Sequence, residues 1–279
     1  MPAATPSPSP AASASASPSA STGERIVWLR VILPVPFSPV IDSWFQQYCP
    51  TILRPNCRVD FGYLSPAAPL TFLTSDYANA MQAPHVLTAC RKAQADGCDG
   101  VLLNIAFDTA LREAKHVLQI PVVGALQSAI GVAQSVCGRQ FSILAISPNE
   151  VPVNYRLSRE YQFGAQLASV RPVNVAVLDL HKDFEQLVSS AHAAAKQALE
   201  QDGADTLVLG CTGMVGLAER LSSLLDHQVP VLDPCAIGLY HLEDCVRLKI
   251  RQRSAGEADV GSGGEGKGRQ RQGMRRRTA

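Results

Sequence analysis

A thiol stands at the end of a strand-like apolar run in residues 207–214, "LVLGCTGM". Cys211 follows Gly210, and a helix-like stretch, "TGMVGLAERL", comes directly after it. The first-turn amides of a helix are free N–H donors with a partial positive charge, so they lower the pKa of a nearby thiol and bind anions. We therefore predict that Cys211 is an acid/base residue and that Thr212 and Gly213 bind its substrate.

A second stretch aligns with the first without a gap. "DGCDGVLLNIAFDTAL" at residues 96–111 matches "DGADTLVLGCTGMVGL" at residues 202–217, which places Asn104 on Gly210 and Ile105 on Cys211. A repeated strand, turn and helix predicts two similar lobes whose turns approach one ligand from opposite sides. Asn104 and Ile105 are thus predicted to face the ligand, although isoleucine has no proton to exchange.

Further polar residues follow other predicted strands. Ser38 comes after "PVPF", and Gln127 and Ser128 come after "PVVGAL", where strand-end loops would line a cleft and bind substrate. Asp108 precedes the helix-like "TALREAKHVL", so it is either the cap of that helix or an acid/base residue.

The remaining thiols and imidazoles suggest no metal centre. The eight cysteines form no C-x-x-C pair and no His cluster has zinc spacing, so no metal is predicted. No glycine pattern of a phosphate-binding loop is present, and no cofactor is predicted. Cys235, beside Pro234 at another helix start, is a second thiol candidate, whereas His181 and His241 are expected at the surface or in packing.

The elements that must position these residues alternate along the chain. Helix-like segments separate apolar runs of strand length, and runs that are apolar on both faces predict an α/β fold of parallel sheets flanked by helices. Ligands of such sheets bind at the carboxyl ends of the strands. The predicted strands are residues 25–33, 58–64, 100–106, 121–126, 141–147, 173–180, 206–211 and 230–233.

Composition sets the outer limits. Residues 1–23, rich in Ala, Pro and Ser, and the basic, Gly-rich residues 251–279 are predicted disordered tails. Residues 24–124 with 231–250 form the first predicted lobe, and residues 125–230 the second.

No apolar run suits a membrane helix or a secretion signal, so we expect a cytoplasmic protein with no membrane partner. The basic tail lacks a nucleic-acid-binding motif, and a homo-oligomer is compatible with the sequence.

These motifs resemble a known family. "DGADTLVLGCTGMVGLAERL" followed by "VPVLDP" looks like the second-cysteine motif of the Asp/Glu/hydantoin racemase superfamily, and "LASVRPVNVAVLDL" and "IPVVGALQSAI" resemble its hydantoin racemase branch. The resemblance implies a cofactor-independent enzyme of two pseudo-symmetric lobes with the active site in the cleft between them, where two cysteines flank the substrate's α-carbon. The first of these cysteines corresponds to Ile105 here.

The sequence is compatible with three functions. The first is a racemase-family enzyme that acts at the α-carbon of an amino acid or derivative, a small carboxylate or cyclic amide, with Cys211 as its thiol acid/base. The second is a single-thiol decarboxylase, because an apolar residue at Ile105 suits a desolvated carboxylate. The third is a protein that binds a small molecule without turning it over.

Overall fold

The computed structural model describes residues 25–68 and 75–252. Both predicted tails lie outside the described residues, apart from residues 251 and 252. The described helices include none that is both long enough and apolar enough to cross a membrane.

Two parallel four-stranded sheets organise the chain. The first has the order β2-β1-β3-β4 and the second the order β6-β5-β7-β8. The strands are β1 (Val27–Pro36), β2 (Cys57–Leu64), β3 (Gly100–Leu103), β4 (Val122–Gly124), β5 (Phe141–Ala145), β6 (Leu167–Pro172), β7 (Thr206–Leu209) and β8 (Val231–Leu232). Every residue of β3, β5 and β7 is buried, as expected for inner strands covered on both faces.

Helices cover the faces of both sheets. They are α1 (Pro39–Ile52), α2 (Asp76–Ala95), α3 (Leu111–Val117), α4 (Ala125–Val136), α5 (Val151–Glu160), α6 (Phe184–Glu200), α7 (Leu217–Leu224) and α8 (Pro234–Arg247). Short 3-10 helices span Pro148–Glu150 and Val177–Asp179. Helix α8 returns to the first lobe and packs on α4, β1 and β3. The predicted fold class, two lobes of parallel sheet flanked by helices, is confirmed.

The sequence repeat is also a structural repeat. β3 and β7 hold the same place in sheets of the same order. The turns that follow close alike, because the carbonyls of Ile105 and Cys211 each accept an N–H from three residues further on, at 3.1 and 3.2 Å. Ala110 and Gly216, which precede α3 and α7, both have positive φ, 59° and 79°. The two lobes therefore present equivalent turns.

Most predicted strands differ at their ends by a few residues, and two differences from the sequence prediction change the path of the chain. The predicted strand at residues 173–180 is wrong: the strand is β6, which ends at Pro172, and Asn174 then takes a positive φ of 58° before a 3-10 helix. The left-handed conformation of Asn174 breaks the extended backbone and ends the strand soon after the last ladder bond, from the Val173 N–H to the Ala145 carbonyl oxygen at 2.8 Å. In addition, β8 pairs with β7 in the second sheet, so the return to the first lobe begins at Pro234 rather than at residue 231.

Candidate active site

A cavity of about 100 Å³ lies between the two lobes at the carboxyl ends of the strands. The first lobe lines it with the end of β1, with α1 and with the turn after β3, and the second lobe with the turn after β7 and both 3-10 helices. Most of the lining is apolar, including Trp44 and Phe45 of α1. An apolar cavity of about 150 Å³ is known to hold one benzene, so this space suits a single small ring.

Gly210 brings the chain into the cavity. Its N–H donates to the carbonyl oxygen of Leu144 at 2.8 Å, which extends the pairing of β7 with β5 by one residue. A side-chain carbon at this position would lie 2.7 Å from that same oxygen, closer than real contacts allow. Glycine is therefore required for the close approach, and Cys211 is the first residue free to turn into the cavity, which it lines.

The helix predicted to begin beside Cys211 begins six residues later. Helix α7 starts at Leu217, because the turn closed by the Met214 N–H and the positive φ of Gly216 come first. The amide that does reach the thiol belongs to this turn: the N–H of Gly213 donates to Cys211 Sγ at 3.4 Å. The thiol thus receives a local amide rather than the end of a helix.

The expected lowering of the thiol pKa is wrong. Burial raises the pKa of Cys211 to about 12, and the negative charge of Glu150 raises it further, while the amides of Gly213 and Met214 oppose the change. Desolvation outweighs two amide donors because it acts on the whole thiolate charge. At neutral pH Cys211 is a protonated thiol, which is ready to give a proton rather than to take one.

The facing turn of the first lobe contributes Asn104 and Ile105, which both line the cavity. Thr212 Oγ1 donates to the carbonyl oxygen of Asn104 at 3.1 Å, and this bond ties the two repeated turns together across the cleft. The Asn104 side chain is buried, yet neither its Oδ1 nor its Nδ2 has a hydrogen-bond partner. It lies near the Cys235 thiol and lowers the pKa of that thiol, but forms no hydrogen bond with it. An unsatisfied amide in a cavity is a natural ligand contact.

Glu150 was not identified from the sequence. It ends a 3-10 helix shortly after β5, only 4% exposed, and lines the same cavity as Cys211. Burial raises the pKa of its carboxyl from 4.5 to about 7, opposed by the N–H of Ile146, which donates to Oε2 at 3.2 Å. Its position after the carboxyl end of a central strand is the signal that could have found it.

Three of the predicted substrate-binding residues lie away from this cavity. Ser38 precedes α1, where its side chain makes no capping bond. Gln127 accepts a hydrogen bond from Lys115 Nζ at 2.6 Å, and Ser128 Oγ donates to the Gly124 carbonyl oxygen at 2.8 Å. Helix α4 begins at Ala125, directly after β4 ends at Gly124. This turns the side chains of Gln127 and Ser128 away from the cavity.

Asp108 caps a different helix from the one expected. Its carboxylate accepts the N–H groups of Leu126 and Gln127 at 3.1 and 2.7 Å, at the start of α4 rather than of α3. The Tyr161 hydroxyl donates to it as well, at 2.7 Å. Burial raises its pKa to about 6, against these three donors. Asp108 lines a separate polar cavity of about 600 Å³.

His181 contacts the backbone of the turn that holds Cys211. Its Nε2 lies 2.9 Å from the Gly213 carbonyl oxygen, and its ring packs on Trp44 with centroids 4.3 Å apart. Cys235 is buried at the start of α8 in contact with the Cys49 thiol and does not line the cavity. Across residues 25–68 and 75–252, no three His, Cys, Asp or Glu side chains come together as metal ligands would.

Comparison with known proteins agrees with this architecture. The family model of the Asp/Glu/hydantoin racemases matches residues 46–242. The chain belongs to the Asp/Glu/hydantoin racemase family. This racemase-family chain is 30% identical to the hydantoin racemase of Paenarthrobacter aurescens over 193 residues, which are 69% of this chain and 80% of that protein. It is 32% identical to the hydantoin racemase of Rhizobium meliloti over 154 residues, 55% of this chain and 63% of that one.

Solved structures of the family share the fold. Allantoin racemase from Klebsiella pneumoniae superposes with a TM-score of 0.74 at 25% identity, covering 82% of this chain and 91% of that one. Glutamate racemase from Francisella tularensis superposes with a TM-score of 0.57 at 14% identity, covering 80% and 82%, and shows the fold alone. The resemblance of the sequence to the hydantoin racemase branch is thereby confirmed.

Proposed function

We propose that this chain is a cofactor-independent cytoplasmic enzyme that exchanges the proton on the α-carbon of an amino acid derivative, with Cys211 as its thiol acid/base. One observation carries the proposal: Cys211 and Ile105, from equivalent turns of the two lobes, line one small cavity. Ile105 then occupies the place of a partner thiol. The family membership and the hydantoin racemase relatives support this reaction class.

The lining favours a neutral cyclic amide over a free amino acid. Among the described residues, no Lys or Arg lines the cavity, so a carboxylate would lose its water without gaining a cation. The Asn104 amide offers one unpaired donor and one unpaired acceptor. A cyclic amide presents the matching acceptor and donor, its C=O and N–H, side by side. A hydantoin-like ring therefore satisfies Asn104 and fits the small apolar space.

Asn104 also stabilises the reaction's intermediate in this scheme. Removal of a proton next to a carbonyl places negative charge on the carbonyl oxygen, and a fixed N–H donor in a dry site stabilises that charge. Asn104 Nδ2 supplies the donor, while the thiol of Cys211, protonated at neutral pH, returns a proton to carbon.

The test is solvent deuterium exchange. We expect the protein to incorporate deuterium at the α-carbon of 5-methylhydantoin or allantoin in D₂O, measured by NMR, and Cys211→Ala to abolish it. Cys137→Ala is the matched control, since Cys137 follows α4 away from the cavity and should leave the rate unchanged. Full exchange by folded Cys211→Ala protein would overturn the assignment.

Decarboxylation is the second candidate, and the apolar wall formed by Ile105 and Phe107 favours it. A carboxylate held against such a wall is destabilised, which favours loss of carbon dioxide, and one thiol then protonates the product from a single side. An arylmalonate decarboxylase variant shares the fold with a TM-score of 0.56 at 15% identity. Product chirality separates the two reactions: a decarboxylase yields one enantiomer, whereas a racemase yields both.

A further inference from the structure

Within residues 25–68 and 75–252, two titratable side chains line the cavity, those of Cys211 and Glu150. A proton leaves the α-carbon and another returns in the proposed reaction, and the two steps need an acid and a base. Ile105 can serve as neither. The groups available at the cavity are therefore one thiol and one carboxyl.

We propose that Glu150 is the second acid/base residue of this cavity, so that a carboxylate and a thiol share the work that two thiols would otherwise do. The inference rests on the proposed function. Glu150 is contributed by the second lobe, from the 3-10 helix after β5, and Cys211 follows the neighbouring strand β7. Both proposed catalytic residues therefore come from adjacent strands of one sheet.

The surroundings of Glu150 differ from those of a structural carboxylate. Asp108 is equally buried and receives three hydrogen bonds, two from amides and one from Tyr161. Glu150 receives one, from the N–H of Ile146 to Oε2, and no Lys or Arg among the described residues forms an ion pair with it. A buried carboxylate left with so few partners is costly to keep unless it does something else.

Glu150 also connects the cavity to the outside. It lines both the Cys211 cavity and an adjacent open depression of about 510 Å³, and Val177 is shared in the same way. A group that moves protons between substrate and solvent must face both. This position lets the carboxyl exchange its proton with water in that depression.

The titration of the two groups divides the roles. The carboxyl of Glu150 has a pKa raised to about 7, and the thiol of Cys211 one raised to about 12. The other charged group that acts on the thiol is Asp233, which raises its pKa and is itself bonded to the Tyr48 hydroxyl and to the amides at the start of α8. Near neutral pH the carboxylate is the base and the thiol is the acid.

The proton balance closes over one cycle. The Glu150 carboxylate takes the α-proton, and the electron pair of the broken C–H bond moves into the carbonyl to give an enolate. The S–H bond of Cys211 then breaks as its proton passes to the α-carbon and the enolate electrons form the new C–H bond. The resulting thiolate recovers a proton from the Glu150 carboxylic acid, a transfer that runs downhill from a pKa of about 7 to one of about 12.

The first experiment compares Glu150→Gln with Glu160→Gln, a matched change of an exposed acid on α5 outside the cavity. The amide oxygen of glutamine still accepts the Ile146 N–H, and circular dichroism checks the fold. Deuterium exchange into 5-methylhydantoin or allantoin is measured from pH 5 to 9. We expect the exchange rate of the wild-type protein to rise with pH and to reach a plateau near pH 7. Glu150→Gln should lower the exchange rate by about 10²-fold or more and should abolish its rise with pH. Glu160→Gln should change neither the rate nor its pH dependence.

The outcomes separate the two proposals. If Cys211→Ala is inactive and Glu150→Gln keeps the wild-type rate and pH profile, Glu150 is not an acid/base residue and the proposed function stands. If the wild-type protein exchanges no deuterium into either probe, the proposed function fails and this inference fails with it.

A second experiment follows the thiol itself and needs no substrate. Removing the charge of Glu150 should lower the pKa of Cys211, so Glu150→Gln should be alkylated by iodoacetamide at Cys211 faster than the wild-type protein at pH 8, as read by mass spectrometry. Cys137 serves as the internal control and Glu160→Gln as the control variant. An unchanged alkylation rate at Cys211 would show that the two groups do not interact and would overturn the inference.

Discussion

A thiol in an apolar cavity holds its proton more tightly than a thiol in water, and Cys211 shows this at the scale of one residue. Its neighbour Glu150 is a carboxyl that also keeps its proton to an unusually high pH, of about 7. Both shifts arise mainly from burial, which penalises the charged form of either group. The protonation state of each group at a given pH therefore determines which of the two acts as the acid and which as the base.

Restoring a thiol at Ile105 is the sharpest test of the missing partner. We expect Ile105→Cys to create or raise racemisation of a hydantoin probe, because it places a second thiol on the first-lobe turn, and polarimetry measures the rate. Ile105→Ala is the control, since it opens the same space without a thiol. A folded Ile105→Cys protein that racemises the probe no faster than the wild-type protein would contradict the account of this position.

Glu150 also predicts how stability depends on pH. Its carboxyl has a pKa of about 7 in the folded protein and 4.5 ordinarily, so between these values the folded state holds a proton that the unfolded state has lost. Below pH 4.5 this carboxyl makes its full stabilising contribution to the free energy of unfolding. That contribution, about 3 kcal/mol, is lost as the pH rises through 7. Urea denaturation at pH 5 and pH 8 should show a smaller difference in Glu150→Gln than in the wild-type protein.

Asp108 shifts stability in the same direction, since its pKa is also raised, and it is present in both proteins. The comparison between variant and wild type therefore isolates Glu150. An equal difference between pH 5 and pH 8 in the two proteins would mean that the carboxyl of Glu150 does not titrate in this range.

At the scale of elements, the hydrogen bond from Thr212 to the Asn104 carbonyl is what joins the repeated turns. The turns follow β3 and β7, which are buried strands of different sheets, so neither sheet fixes the distance between them. A bond at the tip of each turn holds Asn104 and Cys211 at one cavity.

Thr212→Val should weaken this junction. Valine keeps the shape and removes the hydroxyl, so we expect a loss of about 1 kcal/mol in the free energy of unfolding, measured in urea, and retention of stability in Thr212→Ser. Thr88→Val is the matched control, because Thr88 Oγ1 also donates to a backbone carbonyl, that of Pro84, but on an exposed face of α2. An equal loss in the free energy of unfolding for Thr212→Val and Thr88→Val would mean that the hydrogen bond between the lobes stabilises the fold no more than an exposed one.

At the scale of the whole molecule, a ligand held between the lobes must stabilise both. We expect 5-methylhydantoin to raise the melting temperature in a thermal-shift assay, by an amount that grows with concentration as binding to the folded state requires. Deuterium exchange in the same sample separates an enzyme from a binding protein. Stabilisation without exchange would favour the third hypothesis, a cleft that binds but no longer reacts.

The sequence by itself determined the architecture and the central correspondence. Runs that are apolar on both faces specify inner strands of parallel sheets, and the ungapped repeat alone pairs Ile105 with Cys211. These signals are short-range: periodicity, turn residues and a motif of sixteen positions carry them. The helix-like "TALREAKHVL" at residues 109–118 corresponds to α3 for the same reason, although α3 begins only at Leu111.

Only the tertiary structure decided the chemistry of the site. The pKa of Cys211 depends on the apolar wall that the other lobe provides, and Glu150 reaches the cavity from a segment 61 positions away in the sequence. Gln127 and Ser128 look equally suitable in the sequence, yet α4 turns them elsewhere. Desolvation and the sharing of one cavity depend on which distant segments meet, and no local pattern encodes that.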